Sequence, residues 1–337
     1  MTIKSKLLNA VKGALWLIRT TGLQRELQIL RYQMSRFAPP DHEKFPTVYD
    51  TITKEVPFVT ELVVSTDNGV FAISPRDLAL SRAIAHRGEW EAYELERIRA
   101  ALKAGDLAID IGANIGWHSV CMGRIVGPSG CVVAFEPEPY NYRLLQLNLH
   151  LNGLTDTVRA LNRAVANASG SLELELSADN LGDHRIRLGA ARQEKNVYGE
   201  KNRKVVTVPV VSLDAALDEG LLGEPGSRLL RERGVQMLKM DTQGAEARIL
   251  AGAAKVLSRT QNLISEFWPY GLARQGSGVE EFLDPLFEHF DRAQVISSPE
   301  RIPVNADPVS RQDLLTLAGR LGDTENLDLL FSKTRRV

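Results

Sequence analysis

Seven residues, Asp110-Ile111-Gly112-Ala113-Asn114-Ile115-Gly116, constrain this chain more than any others. They follow a short apolar run, Leu107–Ile111, and precede a helical stretch, Gly116–Ile125. A glycine-bearing turn between a buried strand and a helix lets the backbone approach a ligand and turns amide N–H groups toward it. The downstream pattern keeps the same rhythm. Cys131–Phe135 reads as a strand and Pro139–Leu151 as a helix. Val158–Leu161, Leu172–Leu176, Val205–Val211, Val235–Met240, Asn262–Phe267, Ala293–Ile296 and Leu327–Phe331 read as the remaining strands of the sheet. Continuous apolar strands alternating with helices predict an α/β fold whose sheet is buried on both faces.

The turn excludes one common ligand. A dinucleotide fingerprint needs glycine at 112, 114 and 117, where this chain has Gly112, Asn114 and Trp117. A nicotinamide-dependent oxidoreductase is therefore disfavoured. The spacing Gly112-x-x-x-Gly116, with an acid two residues earlier, suits a small cationic ligand. Asp110 complements the sulfonium or amino group of S-adenosylmethionine by charge. Glu136 closes the second strand, where an acid accepts hydrogen bonds from ribose hydroxyls.

These residues resemble the FkbM-type methyltransferase family. The matching blocks are Asp110 to Gly116, then Phe135-Glu136-Pro137, then Asn148, Asn152 and Gly153 at the end of a helix. A further block, Lys239-Met240-Asp241-Thr242-Gln243-Gly244-Ala245-Glu246, and a strand ending Leu263-Ile264-Ser265-Glu266 complete the set. The resemblance implies a Rossmann-like class I methyltransferase fold: a mostly parallel seven-stranded sheet flanked by helices, here with an N-terminal helical extension. It implies S-adenosylmethionine as cofactor and O-methylation, commonly of glycans or polyketide-type products. By position, Asp110, Gly112, Ala113, Asn114 and Gly116 line the methionine end, with Asp241 nearby. Glu136 takes the ribose, and Asn162-Arg163-Ala164 lies near the adenine. Many members carry Glu where this chain has Gln243.

On the acceptor side, a hydroxyl needs a base within hydrogen-bond reach. Asp241, at the end of a buried strand, is the first choice, with Glu266 and His184 as further catalytic candidates. Asn180, Asp183 and Arg185, in a polar loop, and Trp268, with Phe267 beside it, are candidate acceptor contacts. Asp241, Glu246 and Glu266 offer an oxygen-rich set for Mg²⁺, whereas no His or Cys spacing suggests zinc. Lys239 is expected to pair with a neighbouring acid. His118 and Trp117 are expected to pack or shelter the cofactor. A noncatalytic scaffold keeping the fold is the alternative reading.

Three parts follow along the chain. Residues 1–40 carry seven basic side chains against one acid, in a chain of net charge −1. They read as an amphipathic helix able to lie on an anionic membrane surface, closed by Pro39 and Pro40. Its longest apolar run, Ala14–Ile18, is far short of the roughly 20 residues a span requires, and a signal peptide fits poorly. Residues 41–87 form a lead-in with a hairpin about Asp67-Asn68-Gly69, and residues 88–335 the methyltransferase domain. Near-zero net charge gives no reason to expect nucleic acid. Two cysteines, Cys121 and Cys131, suit a reducing, cytoplasmic setting.

Overall fold

The computed structural model describes residues 59–187, 203–299, 302, 304 and 307–334. The basic helix expected over residues 1–40 and the start of the lead-in lie outside the described residues, as does part of the polar stretch before Lys204. Among the described residues, no helix is long and apolar enough to cross a membrane.

The described chain opens with the hairpin β1 (Leu62–Thr66) and β2 (Gly69–Ile73), then α1 (Leu80–Arg87) and α2 (Ala92–Ala101). The alternating unit follows as β3 (Leu107–Ile111), α3 (Trp117–Val126), β4 (Cys131–Phe135), α4 (Pro139–Leu151) and β5 (Val158–Leu161). Next come four strands, β6 (Ala164–Val165), β7 (Gly170–Leu176), β8 (Arg185–Ile186) and β9 (Lys204–Val211). Two helices, α5 (Leu213–Asp218) and α6 (Gly223–Arg233), lead to β10 (Met237–Met240). The chain ends with α7 (Glu246–Leu250), α8 (Ala254–Ser258), β11 (Asn262–Phe267), α9 (Pro269–Arg274), α10 (Val279–His289), β12 (Arg292–Ser297), α11 (Arg311–Ala318) and β13 (Leu327–Ser332).

Seven strands form the main sheet in the order β12-β13-β11-β10-β3-β4-β5. β10, β11, β3, β4 and β5 pair in parallel. β13 runs antiparallel between β11 and β12. The strand order reverses between β3 and β10, and the crevice beyond their carboxyl ends is where open α/β sheets bind ligands.

Period-two alternation divides each central strand between two cores. Leu107, Ile109 and Ile111, with Cys131, Val133 and Phe135 and with Leu238 and Met240, face one layer built on α5, α6, α7, α8 and α10. Ala108, Val132, Ala134, Met237 and Ile264 face the other, built on α1 to α4 and the hairpin. Asp110 and Lys239 share the parity of that second face, and they are direct partners across β3 and β10.

The structure corrects one expectation. Leu172–Leu176 and Val205–Val211 do not extend the main sheet. They fall in β7 and β9 of a separate four-stranded sheet, ordered β6-β9-β7-β8. The reason is visible in their alternation. Leu174, Val208 and Val210 fill a small core of their own, while Glu173 pairs with Thr207 on the opposite side of the ladder. Such half-polar strands fit an antiparallel sheet with one wet face, not a doubly covered parallel one.

The Asn148, Asn152 and Gly153 block has a structural purpose. Asn148 is fully buried on α4. Its Oδ1 accepts from the Ala72 amide at 2.6 Å, and its Nδ2 donates to the carbonyls of Ala72 at 3.1 Å and Ile115 at 2.7 Å. One turn later, Asn152 Oδ1 accepts from the Val70 amide at 3.0 Å and Nδ2 donates to the Val70 carbonyl at 2.7 Å. Two amides spaced one turn apart on a helix thus substitute for a strand partner along the edge of β2. Asn148→Ala should cost roughly 2–4 kcal/mol, because three backbone groups lose their partner in a dry site. Urea unfolding would show the fall, and hydrogen exchange should speed up at Ala72. An unchanged midpoint would rule out this seam.

Candidate active site

A cavity of about 310 Å³ opens at the carboxyl ends of β3, β4, β10 and β11, within the size range of small-molecule sites. Ile111 to Asn114, Glu136, Arg163, Lys239, Asp241, Gln243 and Glu266 line it from the main sheet. The second sheet and its loop supply Leu174, Asn180, Gly182, His184 and Ile186 as a facing wall.

The turn after β3 is built as its sequence requires, for a partly different reason. Gly112 and Gly116 have φ of +82° and +88°, a region that favours glycine. A Cβ on Gly112 would overlap the main-chain carbonyl of Asp241, and one on Gly116 would overlap the Leu145 side chain. These glycines therefore allow protein elements to touch one another, and so bring the ends of β3 and β10 together. Gly116 itself does not line the cavity, whereas Ala113 and Asn114 do.

Glu136 sits at the end of β4 with its carboxylate fixed by backbone amides. Oε2 accepts from Asn114 at 2.8 Å and Oε1 from Glu138 at 2.8 Å. Each oxygen keeps a second acceptor position for a ligand hydroxyl. Burial pushes its pKa up to about 8, against the lowering effect of those amides. Asn162 holds the adjoining corner by donating to the carbonyls of Glu136 and Pro137, both at 2.9 Å. Arg163 and Ala164 then line the cavity.

Asp110 departs from expectation. Its carboxylate is 1% exposed, does not line the cavity, and accepts from Ser119 Oγ at 2.5 Å. It is the cross-strand partner of Lys239, and burial raises its pKa. Lys239 pairs as expected: Nζ lies 3.4 Å from Glu94, 3.5 Å from Asp241 and 3.8 Å from Glu91. Those acids outweigh burial and hold its pKa well above the ordinary lysine range.

On the other side of the cavity, Asp241 accepts from Gln243 Nε2 at 3.0 Å. Glu266 lies 3.4 Å from the same amide and also accepts from Asn326 Nδ2. Asn326 and Asp328 line this end as well, and Asp328 is the cross-strand partner of Glu266. Burial, then the charges of Asp241, Glu246 and Asp328, push the pKa of Glu266 well up.

His184 lines the cavity, but its Nδ1 accepts from the Ser177 amide at 3.1 Å. Burial, reinforced by Arg203, lowers its pKa to about 4. A neutral ring whose Nδ1 accepts must carry its proton on Nε2. His184 is thus a donor, which corrects its reading as a base.

Asn180, Leu181, Gly182 and His184 line the cavity, whereas Asp183 and Arg185 do not. Arg185 Nε donates to Asp183 at 2.5 Å, Arg203 bonds the same carboxylate, and the Arg185 guanidinium lies 4.6 Å over the Trp268 ring. Trp268 Nε1 donates to the Asp323 carbonyl at 2.8 Å, and Phe267 is core. Asp183, Arg185 and Trp268 therefore tie the second sheet to the first and do not line the cavity. Glu246 is also sealed away, its Oε1 accepting from the Thr242 amide and hydroxyl at 2.8 Å each. Asp241, Glu246 and Glu266 do not form a metal-spaced group among the described residues; Glu91, Glu94 and His118 do.

Sequence reasoning missed Trp90, Glu91, Asn141, Asn326 and Asp328, all of which line the cavity. Asp328 did leave a trace, as a charge inside the apolar run of β13. Glu91 left none. It is one of three non-glycine residues with positive φ among the described residues, with Asn114 and Gln243, and all three line this one cavity. Backbone strain of this kind collects at functional sites.

The sequence pattern of the methyltransferase FkbM domain matches residues 110–291, which hold the turn, Glu136, the Lys239–Glu246 block and Glu266. The chain belongs to the FkbM methyltransferase family. Methyltransferase sdnD of Sordaria araneosa is 30% identical over 206 residues, 56% of this chain and 74% of the relative. Methyltransferase 1 of Beauveria bassiana is 26% identical over 145 residues, 43% of this chain and 57% of the relative. Among solved structures, a SAM-dependent O-methyltransferase of Thermotoga maritima aligns with a TM-score of 0.37 at 15% identity, covering 82% of this chain and 88% of that one. M. jannaschii TYW2 in complex with AdoMet aligns at 0.39 with 12% identity, covering 82% and 87%.

The Glu136 shift makes this family member's stability depend on pH. An acid whose pKa rises to about 8 on folding keeps its proton in the native state after the unfolded chain has lost it. Its contribution is full below the unfolded value and is lost as pH rises through about 8. The melting temperature of the ligand-free protein should therefore fall from pH 6 to pH 8 more steeply in wild type than in Glu136→Gln. Parallel curves would refute the assignment.

Proposed function

We propose that this methyltransferase carries the methyl group of S-adenosylmethionine to a hydroxyl of a sugar-like, polyhydroxylated acceptor. The observation that carries this reading is the convergence of Asp241, Gln243, Glu266, Asn326 and Asp328 at one end of the cavity, opposite Glu136 and Arg163. Carboxylates and amides held in a mutual hydrogen-bond network suit a ligand with several hydroxyls.

The cavity fits the cofactor at two points. Glu136 presents two pre-oriented oxygens to ribose hydroxyls, and the Asn162-held corner places Arg163 and Ala164 for the base. When bound, the cofactor supplies a methyl carbon already activated by its sulfonium. The chain's own residues then have to position the acceptor oxygen and receive its proton. Asp241 is the base in this reading. Lys239 and Gln243 fix its carboxylate from two sides, and its side chain is 27% exposed at the cavity wall. His184 donates to an acceptor oxygen from the facing wall, and Asn180 lies beside it. Asp241, Glu246 and Glu266 take no part as a metal set in this reading, since their ligand atoms do not come together at metal spacing among the described residues.

Titration calorimetry with adenosylhomocysteine should give micromolar binding in wild type, the usual regime for enzyme ligands. Glu136→Ala should weaken it by at least roughly tenfold, the loss of two hydroxyl contacts in a buried site. Asp241→Asn should keep most of that binding yet lower methyl transfer by about 10²–10⁴. Radiolabelled transfer to a panel of glycans, polyols and amines is the readout. Label recovered only on amines would overturn the hydroxyl reading.

A further inference from the structure

The sequence assigns the cofactor's positive centres to Asp110, but that carboxylate is sealed under Ser119. On this side of the cavity the acid that reaches the lining is Glu91, the residue before α2. Its backbone is left-handed, with φ of +45°, and its side chain is 26% exposed. Oε2 of Glu91 is buried and accepts no hydrogen bond, and neither does Oε2 of Glu94 behind it.

The local charges do not balance. One ammonium, Lys239, faces Glu91, Glu94, Asp241 and Asp110. It is 3.4–3.5 Å from Glu94 and Asp241 but 3.8 Å from Glu91. His118 lies 3.5 Å from Glu94 and 3.8 Å from Glu91. Burial drives its pKa well below the usual imidazole range, so it adds no charge. Of the acids paired with Lys239, Glu91 is held at the longest distance, and it lines the cavity. Burial, then the charge of Glu94, pushes its pKa well up, the mark of a carboxylate short of positive partners.

We infer that Glu91 is the seat of the cofactor's α-ammonium, a role that rests on the cofactor reading above. S-adenosylmethionine brings two positive centres and one negative. An ammonium held by Glu91 would offset the surplus of buried acids that Lys239 leaves, and the sulfonium's charge would add to that in the same cavity. A divalent ion would find suitable spacing at Glu91, Glu94 and His118. Lys239 already holds a fixed positive charge within 3.8 Å of both carboxylates, which disfavours a second, doubly charged centre. The left-handed backbone at Glu91 fits the same role, since strain of this kind persists where a site needs it.

The test compares two ligands on the full chain by calorimetry: adenosylhomocysteine, and 5′-methylthioadenosine, which lacks the amino-acid end. Wild type should prefer the first. Glu91→Gln should weaken adenosylhomocysteine by about 10- to 100-fold, the worth of one hydrogen bond to a charged partner. It should leave 5′-methylthioadenosine within about twofold, which also shows that the variant is folded. An undiminished preference in Glu91→Gln overturns the assignment, as does a preference lost in Asp110→Asn but kept in Glu91→Gln. Failure of wild type to bind either ligand refutes the cofactor reading itself, a different result from binding without a Glu91 effect.

Discussion

The site depends on one buried cation. Lys239 lies in β10, 2% exposed, in a strand whose other residues are apolar. Its ammonium joins the carboxylate of Glu94 on α2 to that of Asp241 at the strand end, with Asp110 on β3 directly across the ladder. Burying any of these acids alone would drive it to its neutral form. With Lys239 present, helix, neighbouring strand and cavity wall are held by a shared charge. Removing the cation would leave several uncompensated acids in one dry pocket, the costly way to break a buried pair. The ion pairs thus fix the position of α2 against the sheet, and with it the position of Glu91.

The second constraint is the contact between the β3 and β10 loops. Gly112 lets the Asp241 carbonyl come close, so the turn after β3 and Asp241 are neighbours by main-chain packing. Gly244, at φ +102°, packs against the backbone of Gly271 in the same way. Between these two glycines stands Gln243, itself at φ +57°. A side chain held in that conformation loses rotational and backbone freedom before any ligand arrives. The strain at Glu91, Asn114 and Gln243 is offset by the packing that surrounds it, and it buys a cavity whose polar groups are already aimed.

The main sheet was legible in the sequence because its signals are local. Leu107–Ile111, Cys131–Phe135, Val158–Leu161 and Asn262–Phe267 appear with the bounds read from their apolar runs. Pro139 at the first turn, with Glu138 accepting from the Asn141 amide at 2.7 Å, marks the start of α4 just as clearly. Glu136 was legible for the same reason, as an acid ending a buried strand. Other features depend on which way a side chain turns. Asp110 was read as facing the ligand, because a strand end allows it, but its carboxylate is buried and accepts from Ser119 Oγ instead. Asp183, Arg185 and Trp268 were read as acceptor contacts from composition, whereas His184 lines the cavity and Asp183 and Arg185 do not. Glu91 could not be found from its neighbours in sequence, since its importance comes from Lys239, nearly 150 residues away.

The turn after β3, Glu136 and Asp241 stand at strand ends of the regular sheet, so spacing along the chain fixes them. The facing wall comes from the second sheet, which is seated by contacts remote in sequence. Leu78 donates to the Asp179 carbonyl at 2.7 Å, Asn141 donates to the Leu181 carbonyl at 2.8 Å, and Arg185 stacks on Trp268. Each of these contacts acts on the backbone or outer face of the loop that carries Asn180 and His184. On its inner face, His184 Nδ1 is tied to the Ser177 amide and Asn180 Oδ1 accepts from the Gly182 amide at 3.0 Å. The wall is thus seated by contacts distinct from the two backbone amides that fix Glu136 at the end of β4.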